Sequence, residues 1–287
     1  AIGDVDSAVS DYEAMKLNLT EMSRQIKKNA KTRPADEISE MMAFLEWLGD
    51  DHFIFLGYCE FIAQGDDRNN RLYNPDLGSC LGVLKDHKRY PLDGALNFHQ
   101  NRRANESALP SIVPIKADQV SAVHRQAHMD IIVISLNEED PKHYCFWGLY
   151  TSAAYHSSPR HIPLLRQKFN RVLRDSGVSP TGHAGKTLCN VLETFPRDLL
   201  LQLEHEPLFE TAMGMLQLQE RQRLKLFICQ EPYGRYYFCM VLVPRDLYNT
   251  DLRIKMQSIL MYDLNGTEVS FKPNFLESVL CRIDFIV

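Results

Sequence analysis

Apolar residues recur at spacings of three and four near the start of the chain, at Val5, Val9, Tyr12, Met15, Leu19, Met22 and Ile26. The positions between them are polar or small, so the pattern predicts a helix with one narrow apolar stripe that needs a surface to pack against. A polar, basic break over residues 27–33 leads to a second helix, begun by Pro34-Ala35-Asp36 and lined by Ile38, Met41, Met42, Leu45 and Leu48, with Gly49 placed to end it. Residues 1–48 are thus expected to be helical. The period then changes. Residues 53–61, 112–115, 131–136 and 144–150 are apolar runs of strand length, which makes residues 49–155 a mixed, sheet-centred domain. Between 63 and 109 the periodicity is weak and Asp, Asn, Gly and Arg are frequent, predicting short elements joined by exposed loops. Helical spacing returns over 162–175 and 188–194, separated by the breaker Ser176-Gly177-Val178-Ser179-Pro180.

The last third of the chain reads as strand, helix, strand, strand, helix, strand. Residues 198–203 form a short apolar run stopped by Glu204-His205-Glu206-Pro207, the pattern of a buried strand. From Pro207 onward Leu208, Phe209, Ala212, Met213 and Leu216 fall on one helical face, which puts Met213 and Leu216 toward the sheet and Gln217 outward. Residues 224–228 and 236–243 flank Glu231-Pro232-Tyr233-Gly234-Arg235 as a hairpin. Asn249 or Thr250 can cap a helix bearing Leu252, Met256, Ile259 and Leu260, and Val269 and Phe271 begin another strand after Gly266. That order implies a ferredoxin-like βαββαβ module, with residues 280–287 adding one strand. The fold class is α+β.

Composition narrows the function. The chain has 287 residues, 45% of them hydrophobic and 24% charged, with a formal charge of −5, which fits a globular protein of two domains and lacks the basic excess that nucleic-acid binding needs. No apolar run nears the roughly 20 residues that span a bilayer, so no membrane partner and a cytoplasmic location are expected. Seven cysteines include no C-x-x-C pair, and most sit in apolar runs as small hydrophobes. None of the 14 glycines is followed by another two positions later, so the core of a dinucleotide fingerprint is missing and no cofactor site is expected. Gly182-His183-Ala184-Gly185-Lys186-Thr187 looks like part of a phosphate loop, but Pro180 stands where its first glycine belongs, and a capped helix start is the better reading. His124 and His128 share a face on a helix or a strand, yet no third metal ligand accompanies them. Asp50-Asp51-His52 reads either as a carboxylate–histidine pair for proton transfer or as a polar helix-to-strand corner. Arg160, Arg166, Lys168, Arg171 and Arg174 make one helix basic, as a solvated face or as a dock for an acidic surface. No nucleophile motif is present, and no catalytic residue is assigned.

Several runs read together resemble the large, multi-domain NAD-dependent glutamate dehydrogenases of bacteria, in their N-terminal regulatory region. They are Trp47-Leu48-Gly49-Asp50-Asp51-His52-Phe53-Ile54-Phe55-Leu56-Gly57-Tyr58, Gly148-Leu149-Tyr150-Thr151-Ser152-Ala153-Ala154-Tyr155, Ser158-Pro159-Arg160-His161-Ile162-Pro163-Leu164-Leu165-Arg166, Leu192-Glu193-Thr194-Phe195-Pro196-Arg197-Asp198, Ala212-Met213-Gly214-Met215-Leu216-Gln217-Leu218-Gln219-Glu220-Arg221 and Val243-Pro244-Arg245-Asp246-Leu247-Tyr248-Asn249-Thr250. The resemblance implies a helical segment (1–48), a PAS-like domain (49–155), a helical connector (156–196) and an ACT-like domain (197–287). It implies a parent enzyme that oxidises L-glutamate with NAD, and a fragment that is itself non-catalytic, with a downstream catalytic domain of the same chain, a homo-oligomeric assembly and an amino-acid effector as partners. In ACT-like modules the loop after the first strand commonly takes the effector. Here that loop offers Glu204, His205 and Glu206, with Arg197 the candidate to offset their charge. Asp50, Asp51 and His52 are candidates for an interdomain contact. A freestanding amino-acid sensor and a purely structural oligomerisation arm are the alternatives.

Overall fold

The computed structural model describes residues 2–29, 34–64, 72–92, 112–136, 142–218, 223–231, 236–275 and 279–287. The end of the basic break at 30–33, the turn at 232–235 and residues 65–71 and 93–109 of the loop-rich stretch lie outside them. The chain divides into two compact units, residues 1–167 and 168–287.

The first unit begins with helices α1 (Ile2–Ser10), α2 (Tyr12–Asn29) and α3 (Ala35–Trp47). The expected stripe holds in α2, where Met15, Leu19, Met22 and Ile26 are buried, but Val5 and Val9 are exposed. The chain breaks at Asp11, and α1 is fastened by its acids instead. Asp4 accepts from the Arg89 guanidinium at 3.0 Å and the Tyr90 hydroxyl at 3.2 Å, and Asp11 accepts from the Gly82 amide at 2.7 Å. After α3 a π turn, Leu48–His52, leads into the sheet.

Five strands follow: β1 (Phe53–Gln64), β2 (Leu72–Gly82), β3 (Ile112–Val120), β4 (His128–Ile134) and β5 (Lys142–Tyr150), in the order β2-β1-β5-β4-β3 with every neighbour antiparallel. Strand β2 was not legible in the loop-like stretch, because Asn74, Pro75, Asp76, Gly78 and Ser79 break its alternation. It ends at Gly82, whose φ of +62° and close approach to the Leu56 carbonyl exclude a side chain. Both faces of the central strands are buried. One carries Phe61 stacked on Trp147 at 5.8 Å, and the other carries Phe53, Phe55, Tyr58, Phe146 and Tyr150 in edge and tilted contacts. Gly148 leaves room for the Ile54 carbonyl and the Phe53 ring, both of which an added Cβ would strike. A short helix, α4 (Ser152–His156), follows β5.

Helix α5 (Leu165–Asp175) runs from the first unit into the second, which adds α6 (His183–Glu193), α7 (Arg197–Gln202) and α8 (His205–Leu218). Helix α6 starts at His183 with Gly182 at its N-cap, so the run is a helix start as expected, although no side-chain hydrogen bond caps it. Strands β6 (Lys225–Gln230) and β7 (Tyr237–Pro244), helix α9 (Thr250–Asp263) and strands β8 (Ser270–Asn274) and β9 (Leu280–Ile286) complete it. The sheet order is β6-β7-β9-β8, all antiparallel. Helix α9 covers one face, where Met256 and Leu260 pack on Cys239, Val241, Val243, Cys281, Ile283 and Phe285. Helix α8 covers the other, with Gly214 against the Phe227 ring and the Thr211 hydroxyl 3.9 Å from the Cys229 sulfur.

Two expectations fail here. Residues 198–203 are not a strand: α7 is helical, with the Leu200 amide donating to the Pro196 carbonyl at 2.9 Å and the Leu203 amide to the Leu199 carbonyl at 2.8 Å. Leu199, Leu200 and Leu201 are all buried, and so short a run carries no period to separate strand from helix. The βαββαβ order over 197–287 is therefore replaced by two helices followed by ββαββ. The phase of α8 also differs. Leu208, Thr211, Ala212, Met215 and Leu218 are buried, while Met213 and Leu216 are only half-buried. Asn249 caps α9 as expected, accepting from the Leu252 amide at 2.8 Å.

Candidate functional site

The Asp50-Asp51-His52 run forms a strained corner between α3 and β1. Asp51 takes a left-handed φ of 58°, which a short polar side chain tolerates. The His52 ring stacks on Trp47 at 4.5 Å and its Nδ1 donates to the Trp47 carbonyl at 2.9 Å. The imidazole is thus oriented by an indole and a carbonyl, while Asp50 and Asp51 are exposed. The polar corner is what forms, rather than a carboxylate–histidine dyad. The second run of the resemblance meets it here: the Thr151 amide donates to the His52 carbonyl at 3.0 Å, and Tyr150 lies 6.3 Å from Trp47 and 6.4 Å from Tyr155. Arg125 donates to the Tyr150 carbonyl at 2.9 Å and lies over Tyr155, and buried Asp130 accepts from the Tyr150 amide at 3.3 Å while pairing with Lys116. The corner is a rigid aromatic and ionic knot with two carboxylates on its outside.

The second candidate cluster lies at the junction of α5, α7 and α8. The expected loop of Glu204, His205 and Glu206 is the link between two helices, and His205 is already the first residue of α8. Its Nε2 lies 2.8 Å from the Asp175 carboxylate at the end of α5, which Arg171 and Arg174 also approach at 3.7 and 3.5 Å. Glu204 and Glu206 are exposed. Arg197 begins α7, at the opposite end of that helix from Glu204, and burial lowers its guanidinium pKa against the pull of Glu193 and Asp198. The structure brings Glu204 and His205 together and leaves Arg197 apart from them.

Lys168, on α5, belongs to the basic set that the sequence reads as a solvated face or a dock. Its ammonium instead donates to the carbonyls of Leu200, Leu201 and Leu203 at 3.1, 2.8 and 2.8 Å, capping the C-terminus of α7. Burial pushes its pKa down to about 8, against the attraction of Glu204. Arg166 is likewise committed, to Glu40 through its Nε at 2.7 Å. Arg171 and Arg174 stay at the surface of α5, and Arg160, also exposed, lies in the turn before that helix rather than on it.

Among the described residues no helix is long and apolar enough to cross a membrane, and no group of three or more His, Cys, Asp or Glu could hold a metal ion. His124 is exposed, and His128 points its Nδ1 at the Ala117 and Asp118 carbonyls, 3.2 and 3.1 Å away.

Two family models match the second half of the chain: the helical motif 1 of glutamate dehydrogenase over residues 162–221, the stretch of α5 to α8, and its ACT2 domain over residues 225–287, the stretch of β6 to β9. The chain is similar along its whole length to the NAD-specific glutamate dehydrogenase of Pseudomonas aeruginosa, with 38% identity over 294 residues, and covers 18% of that protein. It is 36% identical to the one of Halomonas elongata, over 99% of the chain and 18% of the relative. For the one of Mycobacterium tuberculosis the identity is 25%, over 100% of the chain and 17% of the relative. The chain thus spans less than a fifth of the length of the relatives it matches. Whole-chain similarity and the two domain matches agree: the chain is similar to one segment of the large NAD-specific glutamate dehydrogenases.

Proposed function

We propose that this segment is a regulatory and assembly part, from the N-terminal region, of an enzyme that oxidatively deaminates L-glutamate to 2-oxoglutarate and ammonia with NAD, in the cytoplasm. The observation that carries the reading is a match to the ACT2 domain inside a chain aligned end to end with NAD-specific glutamate dehydrogenases. In this reading residues 49–155, built on one five-stranded antiparallel sheet, are the PAS-like domain, flanked by the helical segment 1–48 and the connector 156–196. The ACT-like module takes its sheet from β6 to β9. NAD and glutamate belong to the downstream catalytic domain of the same chain. The Asp50-Asp51-His52 corner serves an interdomain contact.

The coupling surface in this reading is the outer edge of the C-terminal sheet. Helices pack on both broad faces but leave the edge strand β6 uncovered on the α9 side, where Leu226 and Ile228 are 39% and 46% exposed, so this edge offers open backbone. Pairing of β6 with an ACT-like neighbour, in the same chain or in another subunit, supports homo-oligomer formation. An amino-acid effector bound at that junction then acts through a coupling of roughly 1 to 3 kcal/mol. Lys at positions 226 and 228 of the whole enzyme is expected to weaken subunit assembly and blunt the response to amino acids, measured by sedimentation and by initial rates. Unchanged assembly and response in both variants reduce the module to a passive spacer.

A further inference from the structure

Two thiols meet where β1 and β2 lose register. Tyr58 pairs with Leu81 and Glu60 with Asp76, so Cys59 faces an excursion of β2 over residues 77–80. The excursion is built by hydrogen bonds: the Ser79 hydroxyl donates to the Asp76 carbonyl at 2.7 Å and accepts from the Glu60 amide at 2.8 Å, and the Gly78 amide donates to the Asp76 carboxylate at 3.1 Å. It turns Cys80 inward until its sulfur lies 2.9 Å from that of Cys59, while Leu77 in the same excursion is 54% exposed. Both cysteines are free thiols, and Cys145 stands opposite Cys59 on β5. The shared hydrogen bond separates the two acidities. Contact with Cys59 lowers the Cys80 pKa against the effect of burial, whereas contact with Cys80 and burial push Cys59 up. Cys145 is raised by burial alone.

We propose that Cys59 and Cys80 form a reversible dithiol–disulfide site whose oxidant is hydrogen peroxide. The Cys80 thiolate attacks one peroxide oxygen and the O–O bond breaks, leaving a sulfenic acid on Cys80 while the other oxygen departs as water after taking up a proton. The Cys59 sulfur then attacks the Cys80 sulfur. The S–S bond forms, the S–O bond breaks, and the hydroxyl leaves as a second water with the Cys59 proton. Two thiols give up two electrons and two protons, and one peroxide accepts them. Closing the sulfurs from 2.9 Å to about 2.05 Å asks for less than about 1 Å of motion, which a hydrogen-bonded excursion at the outer strand of the sheet can supply. The product staples β2 to β1 where their ladder is interrupted.

The test treats the reduced enzyme carrying this segment with graded hydrogen peroxide, quenches with catalase, then unfolds, alkylates and digests it with trypsin. Cleavage after Arg71 and Lys85 isolates Cys80 from Cys59. The expected product is a joined peptide of Cys59 and Cys80, two hydrogens lighter than its parts and released by dithiothreitol. It should form about tenfold faster than Cys189 is lost, and persist in Cys145→Ser. Full alkylation of both cysteines at peroxide levels that consume Cys189 would overturn the proposal, as would a Cys59–Cys145 link in the wild-type protein.

Discussion

At the scale of the residue, Lys168 shows how one charge can hold a helix end. The last carbonyls of α7 have no intrahelical partner, and a single ammonium accepts the task from another helix. Replacing it by Met keeps the stem and removes the donors, and is expected to cost about 1.5 to 3 kcal/mol in a urea melt. The pH dependence has a definite sign. Its folded pKa near 8 lies below the ordinary 10.5, so between these values the unfolded chain binds the extra proton and stability rises with pH. The stability gap between wild type and Lys168→Met should therefore widen from pH 8 to 10.5. A gap that narrows over that window would show that the folded state favours the ammonium. None of this was legible in the sequence, where a lysine among four arginines reads as solvated. Its partners lie more than thirty residues away and are backbone atoms, which carry no residue-type signal.

At the scale of the element, the reading succeeded where period and capping agreed. Helix α9 had an Asn in place to cap it and Met256 and Leu260 four apart, and both features stand in the structure, although Ile259, expected on the same face, is 58% exposed. It failed where one signal was missing. The leucines of α7 stand at three consecutive positions of a short helix and show no period, and β2 interrupts its alternation with an excursion that serves Cys80. In α8 the inward face mixes Thr211 with apolar residues, so an all-apolar criterion shifted the phase toward Met213 and Leu216. The corrected phase makes a prediction. Met215→Ala should destabilise the second unit by about 2 to 5 kcal/mol, whereas Gln217→Ala, at an exposed position, should cost about 0.5 kcal/mol or less. Equal losses in chemical denaturation would reject the face described.

At the scale of the whole molecule, the sequence lacks a Gly-x-Gly core, and Lys168 and Arg166 are engaged by backbone carbonyls and by Glu40. Titration of the isolated segment with NAD, followed by the fluorescence of Trp47 and Trp147, is expected to give no saturation; micromolar saturable binding would contradict it. One buried arginine has a wider consequence. Arg282, on β9, pairs with Asp284 at 3.0 Å and reaches out of the sheet to donate to the Thr194 carbonyl at the end of α6, 2.7 Å away. Residues matched separately as a helical motif and as an ACT2 domain are thereby tied by a buried charge. Inheritance and folding need not share a boundary. Calorimetry should find the stretch from α6 to β9 melting in one cooperative transition, and a chain divided at residue 223 should recover that transition only when both pieces are mixed.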